Sequence, residues 1–254
     1  MARPESARQC TDRRLRAHLR AAHAQSRGTY GSPRLRMDLQ TAGLPIGRRR
    51  VMRLMRADGL QGKPRRRYRG TTVVDPRATA APNQLARQFR PAVPNAVWAA
   101  DITALSTAEG WLYLSVLIDL YSRRVVGWAV AASLETPLVL AAWHQAIARR
   151  GRAPRLHHSD RGTQYTSGAY QAALQARGTT CSMSRPGNCY DNAVVESFFR
   201  TLKQDLDVAA WPTRRAAATA VMEYIERFYN PRRLHSTLGY RSPIQFERQN
   251  RVAA

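Results

Sequence analysis

Two short apolar runs, Val97-Trp98-Ala99-Ala100-Asp101-Ile102 and Trp111-Leu112-Tyr113-Leu114-Ser115-Val116-Leu117-Ile118-Asp119, constrain this chain more than any other feature. Runs of this length, rich in aromatic and β-branched residues, read as strands. A third, Arg124 to Val130, follows after another short connection, so an antiparallel meander is expected. Leu138 to Arg150 then has helical spacing and is stopped by Gly151. Arg155 to Asp160 reads as a fourth strand, 168–177 as a helix and Thr179 to Met183 as a fifth strand. Three antiparallel strands, then helix, strand, helix and strand, imply an α/β fold: a mixed sheet with helices on its faces.

The first sixty residues follow a different period. Leu15, Leu19 and Ala22 recur at helical spacing, and Ser32-Pro33 opens a second helix, with Ser32 as its cap and Leu35 and Leu39 on one face. After the break Gly43-Leu44-Pro45-Ile46-Gly47, a third helix turns Val51, Leu54 and Met55 inward and leaves Arg49, Arg50, Arg53 and Arg56 outside. Helix, short turn and a helix with an arginine-rich outer face form the helix-turn-helix pattern, whose second helix lies in the DNA major groove. The expected order is a helix-turn-helix module over 8–62, a basic, proline-containing linker over 63–94, a core over 95–205, and a C-terminal helical extension with an irregular basic tail over 206–254. A helix over about 214–229 belongs to that extension.

Charge narrows the partners. The chain carries 41 Lys and Arg against 17 Asp and Glu, a formal net charge of +24. Such an excess repels itself unless a polyanion neutralises it, which points to nucleic acid. Residues 1–70 hold 19 basic and 4 acidic residues, so the N-terminal quarter is the expected DNA grip. Only Lys63 and Lys203 are lysines in an Ala- and Arg-rich chain, so the placement of the arginines says more than their number. No run of 18 apolar residues suggests a membrane span, and Met1 to Arg20 lacks the apolar segment of a signal peptide. A cytoplasmic, nucleoid-associated protein is expected. Cys10, Cys181 and Cys189 are odd in number and widely spaced, which suggests reduced thiols.

Phosphodiester chemistry with hard divalent cations needs carboxylates converging on one point, where two ions activate the attacking oxygen and stabilise the leaving one. Asp101 is expected to close the first strand, Asp160 the fourth, and Glu196 to open a helix capped by Asp191 or Asn192. Strand ends and helix starts gather at one sheet edge, so these three acids are the candidate set. On the Glu196 helix, Val195, Phe199, Leu202 and Leu206 form one stripe and Glu196, Arg200 and Lys203 another, about 100° away.

The residues around the acids carry more than their spacing. His158-Ser159-Asp160-Arg161-Gly162-Thr163-Gln164-Tyr165 resembles the second-aspartate motif of bacterial insertion-sequence transposases of family three, second-reading-frame products with a retroviral-integrase-like core. Ser182 through Phe199 resembles their glutamate motif, and Lys203, seven residues on, a basic residue typical of the group. Trp98 to Thr103 resembles the first-aspartate motif, with Ala100 where Thr is more usual. Tyr224 to Pro243 resembles the C-terminal motif, and Tyr30 to Arg34 with Val51 to Leu60 the helix-turn-helix. The resemblance implies a ribonuclease-H-like core, magnesium or manganese (two ions) at Asp101, Asp160 and Glu196, strand cleavage exposing a 3′ hydroxyl, and attack of that hydroxyl on another phosphate. It implies a polynucleotidyl transferase acting on terminal inverted repeats and target DNA, as a homo-oligomer on DNA, with the upstream reading-frame product or a frameshift fusion as a possible partner. Arg49, Arg50, Arg53, Arg56, Arg200 and Lys203 are the expected DNA contacts.

Other readings compete. Asp119 ends the second strand and is the main rival ligand; Asp191 reads as a cap or turn residue. His157 and His158 point to opposite faces of a strand and do not form a metal pair. Cys10, His18 and His23 lack zinc spacing. Tyr165, Tyr190 and Tyr240 serve either base stacking or a core edge. A Tyr nucleophile near Tyr229 has no use for the carboxylates. The rival functions are a catalytically inactive, transposase-derived DNA-binding regulator and a ribonuclease-H-like nuclease that cuts without joining.

Overall fold

The computed structural model describes residues 5–63, 81–186, 188–207 and 209–251. Most of the stretch expected as linker, 64–80, lies outside the described residues. The rest forms two units.

The first unit is helical. Helix α1, Ala7–Gln25, starts at a capping box in which Ser6 Oγ accepts from Gln9 N while the Gln9 side chain accepts from Ser6 N. Helices α2, Ser32–Thr41, and α3, Arg48–Ala57, follow. Leu15, Leu19, Ala22, Leu35, Leu39, Val51, Leu54 and Met55 are all buried, as the helical periodicity requires. Ser32 does not cap α2: the helix begins at Ser32 itself, behind an extended Gly31, with no side-chain cap bond. Residues Arg233–Arg241 belong to this unit. Leu234 N donates to the Tyr30 hydroxyl at 2.7 Å, Arg34 Nε donates to Leu234 O at 3.0 Å, and Leu234 and Leu238 are buried. This part of the tail, expected to be irregular, is shaped by a one-turn 3-10 helix at Ser236–Leu238 and a bridge between His235 and Arg241.

The second unit is a five-stranded sheet in the order β3-β2-β1-β4-β5. Strands β1, Val97–Thr107, β2, Gly110–Asp119, and β3, Val125–Ala131, form the expected antiparallel meander. Strands β4, Leu156–Ser159, and β5, Thr180–Met183, run parallel to β1. One sheet face buries Trp98, Ala100, Leu117 and Val126 against Val139, Ala142, Trp143 and Ala146 of α4, Thr136–Arg150. Tyr165 of α5, Thr163–Thr166, and Tyr170 and Leu174 of α6, Gly168–Gln175, complete that core. Helix α4 approaches β3 so closely that a Cβ at Gly127 would collide with the Ala142 carbonyl. The alternate residues Ala99, Leu114, Val116 and Ile118 are also buried and point to the other face. There α7, Ala193–Leu206, and α8, Arg214–Glu223, pack on β1 and β2. Helix α8 runs on as a π-helical segment, Tyr224–Tyr229, and α9, Pro243–Arg251, is a helix that the sequence reading missed.

Strand β1 runs five residues beyond its expected end at Ile102, because Thr103 to Thr107 go on pairing with β2. Asp101 therefore sits within a strand and does not close it.

Candidate active site

The parallel register between β1 and β4 pairs Val97 with Leu156, Trp98 with His157 and Ala99 with His158. Continued by two residues, that register sets Asp160, just past the end of β4, beside Asp101. Strand β4 stops while β1 continues, so the edge of β1 is open from this point. A cleft of about 450 Å³ lies there, lined by Asp101, Asp160, Gly162, Trp111, Tyr113 and Lys203 among others. Asp101 Oδ1 accepts from Ile102 N at 2.7 Å and Asp160 Oδ1 from Gly162 N at 3.0 Å. Desolvation pushes the Asp101 carboxyl well above the usual carboxylate range, and the charges of Asp160 and Glu196 add to this; Ile102 N–H and Lys203 oppose it. Burial lowers the Lys203 ammonium pKa, against the pull of Asp101.

Glu196 stands apart from this pair. It is exposed in the first turn of α7 and does not line the cleft, although its charge reaches Asp101. Among the described residues no three His, Cys, Asp or Glu side chains group closely enough to hold a metal ion. The fold thus brings Asp101, Asp160 and Lys203 together, with Glu196 nearby. Arg200 is half-buried on the same helix and donates to Ser197 Oγ at 3.3 Å. The buried stripe of α7 is Val195, Phe198, Phe199, Leu202 and Asp205, whereas Leu206, expected inside, is only half-buried. Asp205 takes that place because the Tyr224 hydroxyl donates to it at 2.9 Å.

Asp191 and Asn192, the two expected caps, give α7 no side-chain cap bond; each holds another segment in place. Asn192 Nδ2 donates to Ala100 O at 2.9 Å, so the start of α7 is tied to β1 one residue before Asp101. Asp191 is fully buried and accepts from Arg185 N, Nε and a terminal guanidinium nitrogen, from Arg87 Nε and from Asn83 Nδ2. The Arg185 hydrogen bond leads in holding its carboxyl far below the usual range. The segment from 81, within the expected linker, takes part: Gln84 N and Leu85 N also donate to Ser182 Oγ.

Asp119 has another occupation. It lies opposite Trp98 in the β1–β2 ladder, accepts from Asn95 N and Tyr121 N, and pairs with Arg150 at 3.2 Å. Burial raises its pKa to about 6 against those donors. Tyr165 is buried in the core, while Tyr190 is exposed with the Arg87 guanidinium 5.7 Å from its ring centroid.

In the helical unit the four expected arginines separate. Arg50 and Arg53 of α3 pair with Asp12 of α1 at 2.8 and 2.5 Å. Arg49 and Arg56 are exposed, and between them Met52 is an exposed apolar residue.

Residues 11–68 match an HTH-like domain, and residues 91–189 and 177–243 match integrase core domains. The chain is 39% identical to the transposase for insertion sequence element IS904 of Lactococcus lactis, over 93% of this chain and 94% of that protein. The chain belongs to the insertion-sequence transposases. Within that family it is also 42% identical to transposase InsF for insertion sequence IS3A of Escherichia coli, over 91% of this chain and 81% of that protein. It is 41% identical to the insertion element IS600 uncharacterized 31 kDa protein of Shigella sonnei, over 98% and 93% of the two chains. In fold it resembles a chain of the simian T-cell lymphotropic virus intasome solved with PP2A regulatory subunit B56 gamma, with a TM-score of 0.53, 18% identity, and 83% and 69% of the two chains covered. No helix among the described residues is long and apolar enough to cross a membrane.

Proposed function

We propose that this transposase cleaves DNA strands at the ends of its element and joins the exposed 3′ hydroxyl to target DNA, with Asp101, Asp160 and Glu196 as the metal-holding acids. The observation that carries the reading is the β1–β4 register, which sets two carboxylates side by side at an open sheet edge. Their oxygens suit magnesium or manganese, and a cation there would relieve the repulsion that Asp101 feels from Asp160 and Glu196. Glu196 is the ligand that would have to close on the other two. Bound divalent ions would supply activation of the attacking oxygen and stabilisation of the leaving one, with two ions as the proposed number.

The chain's own residues have separate tasks. Lys203 has no lone pair for a metal when protonated and is proposed to hold a phosphate beside the acids, with Arg200 along the strand. Arg49 and Arg56 are proposed to contact the terminal inverted repeat directly, with Arg50 and Arg53 available once they leave Asp12. Target DNA, further copies of the chain and the upstream reading-frame product are the proposed partners, in the cytoplasm at the nucleoid.

The test supplies DNA carrying the terminal repeats with magnesium and maps the products. Wild type should cut and join, and Asp160→Asn should lose both by at least about a thousandfold while binding DNA as before, because the amide keeps the shape and removes the charge. Cutting without joining by wild type would make it a nuclease, and binding alone a regulator. Turnover of Asp160→Asn within tenfold of wild type would remove Asp160 from the site.

A further inference from the structure

We infer that Trp111 is a stacking platform for an unpaired DNA base at the far end of the cleft. Trp111 is a large apolar residue left 54% exposed, on the second residue of β2. Its backbone is held in place. Trp111 O accepts from Arg214 Nε at 3.1 Å, and the hairpin behind it is closed by Thr107 Oγ1 donating to Gly110 O at 2.5 Å. Along the same sheet face Tyr113 is half-buried and Ser115 and Leu117 are fully buried, so the indole stands where the helical cover of that face runs out. Leu134, 43% exposed, lines the same cleft, and its carbonyl accepts from Gln164 Nε2 at 3.0 Å.

The cleft therefore changes character along its length. At one end are two carboxylates and Lys203; towards the other are Tyr113 and Trp111, with Leu134 beside α5. Trp111 pairs with Ser106, five residues along β1 from Asp101 and so on the opposite face; the cleft passes around the open edge of β1, and the two lie roughly 16 Å apart along the strand. One class of ligand offers both an anionic backbone and flat apolar faces on that scale: a nucleic acid strand whose bases are free to leave the stack. The chain's formal charge of +24 favours the same occupant. Stacking on an aromatic ring tolerates any base, because every base has a π-face. Trp111 thus holds the strand a few nucleotides from the acids and favours ends whose terminal pairs have opened. This rests on the reading of the acid end as the place where the DNA backbone lies.

The experiment uses the full chain in EDTA, so that no cutting occurs. Two probes are compared: a blunt duplex, and the same duplex with a short single-stranded overhang carrying one 2-aminopurine at successive positions. Wild type should bind the overhang probe more tightly than the blunt one and change the 2-aminopurine fluorescence at one or two positions. Trp111→Ala should lose that position-specific signal and about tenfold in affinity for the overhang probe alone, while Trp111→Phe keeps most of both. The exposed ring can be removed without leaving a cavity, and a thermal melt of each variant checks this. Wild-type signal and affinity in Trp111→Ala would overturn the inference. So would an equal loss on both probes, or no overhang preference in wild type. The metal-dependent test on Asp160→Asn succeeds or fails separately, so failure of the functional reading is distinguishable.

Discussion

The helical unit and the sheet unit place their charges in opposite ways. In the helical unit Asp12 holds Arg50 and Arg53, and Asp58 holds Arg16 and Arg20, with all four arginine side chains more than a third exposed. In the sheet unit Asp119 and Asp191 are fully buried, and Arg150 is buried with Asp119 and Glu247. Exposed pairs are screened and contribute about 0–1 kcal/mol, whereas stripping the partner from a buried charge costs about 3–5 kcal/mol. The arginines paired with Asp12 and Asp58 are therefore available to an outside polyanion, whereas in the sheet unit Asp119, Asp191 and the buried Arg150 are committed to holding loops in place.

The largest test of this contrast is Asp191→Ala. It removes the acceptor shared by Asn83, Arg87 and Arg185. The expected loss is about 2–3 kcal/mol in urea unfolding, below the fully buried case because Arg87 and Arg185 stay half exposed. A loss under about 0.5 kcal/mol would place this network with the surface pairs and break the comparison.

His157 gives a second, pH-dependent test. It is enclosed by Trp143, Tyr165 and Tyr170, with the Tyr170 hydroxyl 3.0 Å from Nε2, and burial lowers its pKa to about 3. Below pH 6.5 the unfolded chain takes up a proton that the folded one refuses, so this group's contribution to stability falls on acidification, by about 2 kcal/mol at pH 5. Asp119 has the opposite sign: with its folded value near 6, it gains stability as pH falls from there toward 4. Replacement by Phe isolates the histidine term. The stability difference between wild type and His157→Phe should shift by about 2 kcal/mol between pH 7 and pH 5, and parallel pH profiles would refute it.

The smallest expected effect on stability is Asp12→Ala, at most about 1 kcal/mol. Its effect on DNA is sharper. Freeing Arg50 and Arg53 should tighten DNA binding and steepen the dependence of log affinity on log salt by up to about two phosphate contacts. An unchanged slope would mean that both arginines already leave Asp12 when DNA arrives.

Much of this was legible from local pattern. The periods of 3.6 and 2 placed Leu15, Leu19, Val51 and Leu54 inside the helical unit and assigned β1 to β5 because each depends on neighbours in sequence. The resemblance of Trp98–Thr103, His158–Tyr165 and Ser182–Phe199 to the transposase motifs led to the acids. What pattern could not supply was pairing across distance. No local signal says that Asp12 will reach Arg50, that Asn83 and Arg87 will meet Asp191, or that Asn192 will bind Ala100 O instead of capping its own helix. The length of β1 was underestimated because Ile102-Thr103-Ala104-Leu105 alternates only weakly. Trp111 was legible as a strand residue, and its exposure follows from where the helices stop.

The bond between Leu234 and Tyr30 joins residues 204 positions apart within a unit whose three helices lie in the first quarter of the chain. Order of synthesis therefore differs from order of completion. The three helices leave the ribosome before the sheet, and the segment that fastens over Tyr30 and Arg34 follows only after all five strands. While the sheet is being made the helix-turn-helix is without its fastening, and a product terminated before Arg233 would hold every residue of the sheet's five strands yet never close its first unit.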